Sequence, residues 1–254
     1  MKKFNSKKFN SNKSFNTNKK FNSNKKFNDI LTVLLIVVII GIVIVLIFFG
    51  YRAIVKNKTE NEAADAVEEF YRTLDSDDDD DETEIGSTDL TEFITEEDYS
   101  TSSTSTVTKT YLGEYEIKGT ISISKTGIEY PVLEKATVGS LSKAVGILEI
   151  ATCDEITETV TDLNVPGTNA LILGHNYRNG QFFSDNDQLE IGDIIKITDQ
   201  LGETVSYSIY KMYYTTADDI SFLERELNPD VREITLQTCN DDSSERLIIW
   251  AKDS

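Results

Sequence analysis

Apolar residues occur in three textures along the chain, and each predicts a different element. Residues 30–51 form an unbroken run of uncharged residues, ILTVLLIVVIIGIVIVLIFFGY. At a helical rise of about 1.5 Å per residue the run crosses a bilayer's hydrocarbon core, so it predicts one transmembrane helix. Ala63, Val67, Phe70, Tyr71 and Leu74 follow at helical spacing, behind Thr59-Glu60-Asn61-Glu62, which has the form of a capping box. These predict a helix opening near Thr59 whose apolar stripe packs on another part of the protein.

From about Tyr115 the period drops to two. Ile117, Gly119, Ile121 and Ile123 alternate with polar residues, and Lys125-Thr126-Gly127 turns into the run Ile128–Leu133. Residues 170–174 and 193–198 are short apolar strands, and Gln200-Leu201-Gly202-Glu203 is a turn before alternating Val205, Tyr207 and Ile209. Near the C-terminus, Thr235-Leu236-Gln237-Thr238-Cys239 and 246–252 read as two strands around a six-residue loop, most simply a hairpin. Short helices are expected over 139–145 and 218–227. Many short strands with few helices predict a mostly-β barrel or sandwich, and the length is ample for one core.

Charge divides the chain at the apolar run. Residues 1–29 carry nine lysines against Asp29 alone, whereas 16 basic and 43 acidic residues follow Tyr51. The lysine-rich segment repeats Phe-Asn with Ser, Asn and Lys spacers, and predicts a basic disordered tail that can lie on an anionic leaflet. With lysines before the apolar run and no small-residue cleavage site after it, a retained signal-anchor is expected. The N-terminus is then cytoplasmic and residues 52–254 are extracellular. The acidic body argues against a nucleic-acid partner, since phosphate recognition needs a basic footprint. Residues 75–84 are nearly all acidic but lack the glycine and terminal glutamate of a calcium loop, so they read as a solvated spacer. The organisation expected is a tail (1–29), an anchor (30–51), a helix with an acidic Ser/Thr-rich linker (52–112), and a mostly-β C-terminal domain (113–254).

Three residues carry candidate chemistry. The hairpin places Cys239 and Arg246 at one sheet edge. A thiolate is the nucleophilic form of cysteine, and a neighbouring guanidinium favours it and can hold an oxyanion. His175, the only histidine, ends a strand at Leu173-Gly174-His175-Asn176. Taken singly, each has a plainer reading: a structural histidine, a surface arginine, and a cysteine paired with Cys153 in an oxidising exterior.

The joint pattern favours chemistry. Thr235-Leu236-Gln237-Thr238-Cys239 resembles the Thr-Leu-X-Thr-Cys signature of the sortases, surface transpeptidases of Gram-positive bacteria. Residues 164–175, Asn-Val-Pro-Gly-Thr-Asn-Ala-Leu-Ile-Leu-Gly-His, resemble the strand that delivers the sortase histidine. Phe182-Phe183 and Leu189-Glu190-Ile191-Gly192-Asp193 resemble the next stretch of that family, and Arg246 falls on the strand after the cysteine. The resemblance spans about 113–252. It implies a sortase-type eight-stranded β-barrel with short helices, here preceded by a single transmembrane helix and an acidic stalk. It implies that Cys239 attacks the threonine carbonyl of a Leu-Pro-X-Thr-Gly-like sorting signal, forming a thioacyl enzyme. His175 would act as acid and base, Arg246 would steady the oxyanion or substrate, and Thr238 would lie against the substrate. The implied partners are sorting-signal-bearing surface proteins and a peptidoglycan or pilin amine; no cofactor is expected.

The loop between Cys239 and Arg246 is short for the better-known classes and rich in acid (Asp241, Asp242, Glu245), which leaves the class and the sorting motif open. These acids could draw a cationic acceptor amine or simply be solvated. Asp185, Asp187 and Glu190 do not have diagnostic calcium spacing, so no metal is expected. Two alternatives remain: a thiol hydrolase using the same three residues, and a non-catalytic anchored surface domain with a Cys153–Cys239 disulfide.

Overall fold

The computed structural model describes residues 17–77, 108–156, 159–241 and 243–253. The acidic spacer and most of the Ser/Thr-rich linker lie outside the described residues. Two compact units divide the chain, one reaching Val55 and the other starting at Lys56.

Helix α1, Thr17–Asp77, contains the apolar run. It is long and apolar enough to cross a membrane, by length and composition. Two expectations are corrected here. The helix begins at Thr17, inside the tail expected to be disordered, and it passes through Thr59 without starting there. The reason is cooperativity: extending an existing helix costs far less than nucleating one, so a neighbouring strong helix carries weak formers with it and makes a second start at Thr59 unnecessary.

In the second unit the apolar stripe finds its partner. Ala63 joins the main core, while Ala66, Phe70 and Leu74 pack with Leu112, Ile117, Leu133 and Ala144. Lys56 Nζ donates to the Asn179 carbonyl at 2.5 Å, and Gln181 Nε2 donates to the Lys56 carbonyl at 3.4 Å. This part of the helix thus holds the segment just after His175.

The strands are β1 (Tyr111–Leu112), β2 (Tyr115–Ile123), β3 (Ile128–Leu133), β4 (Val145–Thr152), β5 (Thr168–Leu173), β6 (Ile194–Asp199), β7 (Thr204–Thr216), β8 (Glu233–Cys239) and β9 (Glu245–Asp253). Their order is β1-β2-β3-β4-β5-β8-β9-β7-β6, and β6 pairs back onto β2. Leaving aside the two-residue β1, eight strands close a barrel, as expected. At the seam Gly119 faces Asp199, and a side chain there would collide with the Thr198 carbonyl. Inward positions such as Ile121, Ile172, Phe182, Phe183, Ile197, Tyr207 and Leu236 form one apolar core.

Helix α2, Val138–Leu141, is shorter than the 139–145 expected, because Val145 is already in β4. Residues 218–227 are turns rather than a helix. Phe222 and Leu223 instead pack with Leu171, Ile248 and Trp250, so this segment is ordered by burial on the sheet rather than by its own backbone ladder.

Candidate active site

Strand pairing builds the site at one end of β5, β8 and β9. Strands β5 and β8 are parallel, with Leu173 opposite Gln237, so both chains leave the sheet at the same edge. The Gly174 N–H donates to the Gln237 carbonyl at 3.2 Å, and His175 comes next. Strands β8 and β9 are antiparallel, with Cys239 opposite Arg246. Such partners have α-carbons about 5 Å apart and side chains on the same face. Glu245 already belongs to β9, so the connecting loop is one residue shorter than the sequence suggested.

The end of β5 is locked from both sides. The Phe183 N–H donates to the His175 carbonyl at 3.1 Å. Asn176 Nδ2 donates to the Cys239 carbonyl at 3.1 Å and to Asp241 Oδ1 at 3.2 Å, tying the histidine segment to the cysteine loop. Nothing in the sequence marked Asn176 for this role except its place after the histidine. The His175 ring stacks on Tyr177, centroids 4.9 Å apart, and Tyr177 leans on Phe182. Burial lowers the His175 pKa below its ordinary value, favouring the neutral imidazole.

Gly174 allows this packing. A β-carbon there would lie 2.5 Å from Phe183 Cδ2 and 2.7 Å from its Cγ, and Phe183 is fully buried with nowhere to go. Gly174→Ala is expected to lower stability by about 1–3 kcal/mol, the usual range for overpacking, and to slow turnover by displacing His175. Denaturant unfolding and a peptide-cleavage assay check this; an unchanged midpoint would show that the strand end is looser than it looks.

Cys239 and Arg246 are half-buried. Arg246 Nη1 donates to the carbonyls of Ser243 at 3.4 Å and Glu245 at 3.2 Å. Thr238 is buried on the opposite face of β8 from Cys239, and its Oγ1 has no hydrogen-bond partner among the described residues. A cleft of about 320 Å³ opens beside the thiol, with Thr238, Cys239, Asp241, Glu245, Asp187 and Tyr214 among its walls.

The disulfide alternative is corrected. Both cysteines are free. The Cys153 N–H bonds the Gly167 carbonyl, at the start of β5, whereas Cys239 lies beyond its far end. Six strand residues separate the two ends by about 20 Å, far beyond disulfide reach. Glu190, one of the acids weighed for calcium, is engaged with Asp193 by Lys125 at 2.8 and 2.9 Å.

Eight strands close the barrel, half-buried Cys239 stands in register with Arg246, and His175 follows the end of the adjoining strand. Residues 121–254 match the sortase domain, and the chain belongs to the sortase family. No curated protein matches the chain. Among solved structures it is similar to a lid mutant of sortase A from Corynebacterium diphtheriae, at 24% identity over 56% of this chain and 72% of that one, TM-score 0.46. It is also similar to a Clostridium perfringens sortase D5 transpeptidase, at 29% identity over 54% and 79%, TM-score 0.45. A pilus-related sortase C of Group B Streptococcus matches at 26% identity over 54% and 67%, TM-score 0.45.

Proposed function

We propose that this protein is a membrane-anchored cysteine transpeptidase that cleaves a Leu-Pro-X-Thr-Gly-like sorting signal and transfers the acyl group to a cell-wall or pilin amine. The observation that carries the reading is the register of three strands: β9 sets Arg246 against Cys239, and parallel β5 delivers His175 to the same edge. Cys239 Sγ attacks the threonine carbonyl, and the electron pair moves onto oxygen. Arg246 donates to that oxyanion, where a fixed donor is worth most. His175 protonates the departing amine as the C–N bond breaks, leaving a thioester on Cys239. An incoming amine then reverses the sequence. Thr238 lies next to the reacting centre on the bound peptide's path.

The apolar helix serves as the anchor. The basic residues before it favour a cytoplasmic N-terminus, with the barrel outside the cell. Incubating the protein with a library of Leu-Pro-X-Thr-Gly-like peptides and weighing it intact tests the reading. A mass increase on Cys239 that added amine discharges is the expected result. An adduct discharged by water alone, at a rate indifferent to amine, would make the protein a hydrolase. In the same assay Arg246→Ala should slow adduct formation by about 10²–10³-fold; near-normal rates would remove Arg246 from the site.

A further inference from the structure

The turn that follows His175 is strained, and it is built around aromatic rings. Arg178 and Phe182 both have positive φ, 55° and 52°, a region that residues with a β-carbon rarely adopt and bulky ones least of all. Such backbone persists only where its surroundings over-determine it, and here they do. Asn176 pairs with Phe182 across the turn as a β-bridge. The Tyr177 N–H donates to Ser184 Oγ at 3.0 Å, and Ser184 Oγ donates to the Gln181 carbonyl at 2.6 Å. Lys56 of α1 donates to the Asn179 carbonyl from outside the turn. The conformation sets the fully buried Phe182 ring against two tyrosines, 5.1 Å from Tyr130 and 5.6 Å from Tyr177 between centroids.

Tyr177 has no evident structural task of its own. It is 40% exposed, so core burial does not require it, and its hydroxyl has no hydrogen-bond partner among the described residues. Its ring lies on His175, with 4.9 Å between centroids and 27° between planes. An acid–base histidine works when its ring is oriented, commonly by a hydrogen bond to a third group. Among the described residues no group hydrogen-bonds the His175 ring.

We propose that Tyr177 is the positioning residue of this site: backed by Phe182, its ring fixes the plane of the His175 imidazole and shields one face of it from water. The inference rests on the acid–base role of His175 in the transpeptidase reading. Stacking orients the imidazole without placing a charge beside it. Burial is the one cause of the lowered His175 pKa, and a ring laid on the imidazole is a direct source of burial. The titratable and charged groups around it are Tyr177 and Arg178 on its own segment, Lys56 on α1, Cys239 on β8, Asp241 just after it and Arg246 on β9. Lys56 is turned to Asn179, Arg178 to Ser243 and Asp241 to Asn176.

The chain has a single histidine, so its imidazole gives one set of ring signals. The test is an NMR titration of the full chain in detergent micelles, carrying 13C-labelled histidine, beside acylation by a sorting-signal peptide. In the wild type, Overhauser contacts should join the His175 and Tyr177 ring protons; their absence overturns the proposal without any variant. Tyr177→Phe keeps the ring and should keep both the His175 pKa and the acylation rate. Tyr177→Ala should raise the pKa toward about 6.5 and carry the acid limb of amine transfer up with it. It should also cut the acylation rate at saturating peptide about three- to tenfold, the scale of one aromatic pair. The half-saturating peptide concentration should stay put, because the ring acts on the imidazole and not on the peptide. A pKa that stays or falls, a phenylalanine variant as impaired as the alanine one, or a loss confined to peptide affinity overturns the proposal. Thermal melts check that both variants fold; if the alanine variant does not, the wild-type Overhauser contacts decide. The titration needs no turnover, so a wild type that forms no adduct on Cys239 removes the transpeptidase reading and leaves the stack to be judged separately.

Discussion

Cys239→Ala is expected to fold like the wild type and to form no acyl adduct with any sorting-signal peptide. The thiol sits at the last residue of β8, half-buried, so removing one sulfur empties no core volume. The contact that fixes its position runs through the backbone carbonyl, which Asn176 Nδ2 still reaches in the variant. The melting temperature should therefore stay within about 2 °C, the scale for a change well under 1 kcal/mol. Activity should fall by at least about 10⁴-fold, because without a nucleophile only bound water remains to attack. No second thiol can stand in, since Cys153 is buried at the other end of β5. Intact mass after peptide incubation, beside a thermal melt, decides the matter. An adduct that persists in the variant would move the nucleophile elsewhere in the chain.

His175→Ala should cost about 10²–10⁴-fold in turnover, the usual worth of a positioned acid–base, and it should also change the pH response. Burial depresses the His175 pKa, so the folded protein binds this proton less readily than the unfolded chain does. Stability from this group is therefore complete above the unfolded value of about 6.5 and is lost as pH falls through the lower folded value. Melting curves of wild type and His175→Gln between about pH 7.5 and 5.5, a window that brackets the unfolded value, check the sign. The wild type should lose more on acidification; a steeper loss in the variant would mean that the imidazole is stabilised as a cation. In the wild type, the acid limb of amine transfer should also lie below about pH 6.5, because the neutral base persists there.

Local pattern carried much of this molecule. Alternation in 117–123 and 205–209 announced strands because a half-buried sheet imposes a period of two, and both segments are strands of the barrel. The pairing of Cys239 with Arg246 was legible because a short loop between two strands leaves little choice but a hairpin. The misreadings share one cause, the influence of neighbours that local pattern omits. Thr59 has the chemistry of a helix start, yet the helix was already under way. Residues 218–227 have helical texture, yet Phe222 and Leu223 are held by Trp250 and Ile248. Asn176 and Tyr177 went unmarked because an amide or phenol acquires a role only from what it faces.

Chemical type and order along the chain were written into the residues themselves: one histidine, a strand-end cysteine, an arginine after a tight loop, and an uncharged run long enough to cross a bilayer. Those come from covalent chemistry and from periodicities that any backbone must obey. Only the folded barrel decided that β5 lies beside β8, that Cys153 is out of reach, and that Asp187 joins Asp241 and Glu245 around one cleft. Sheet neighbours far apart in sequence are chosen by closure of the whole core, a property that no single stretch of residues carries.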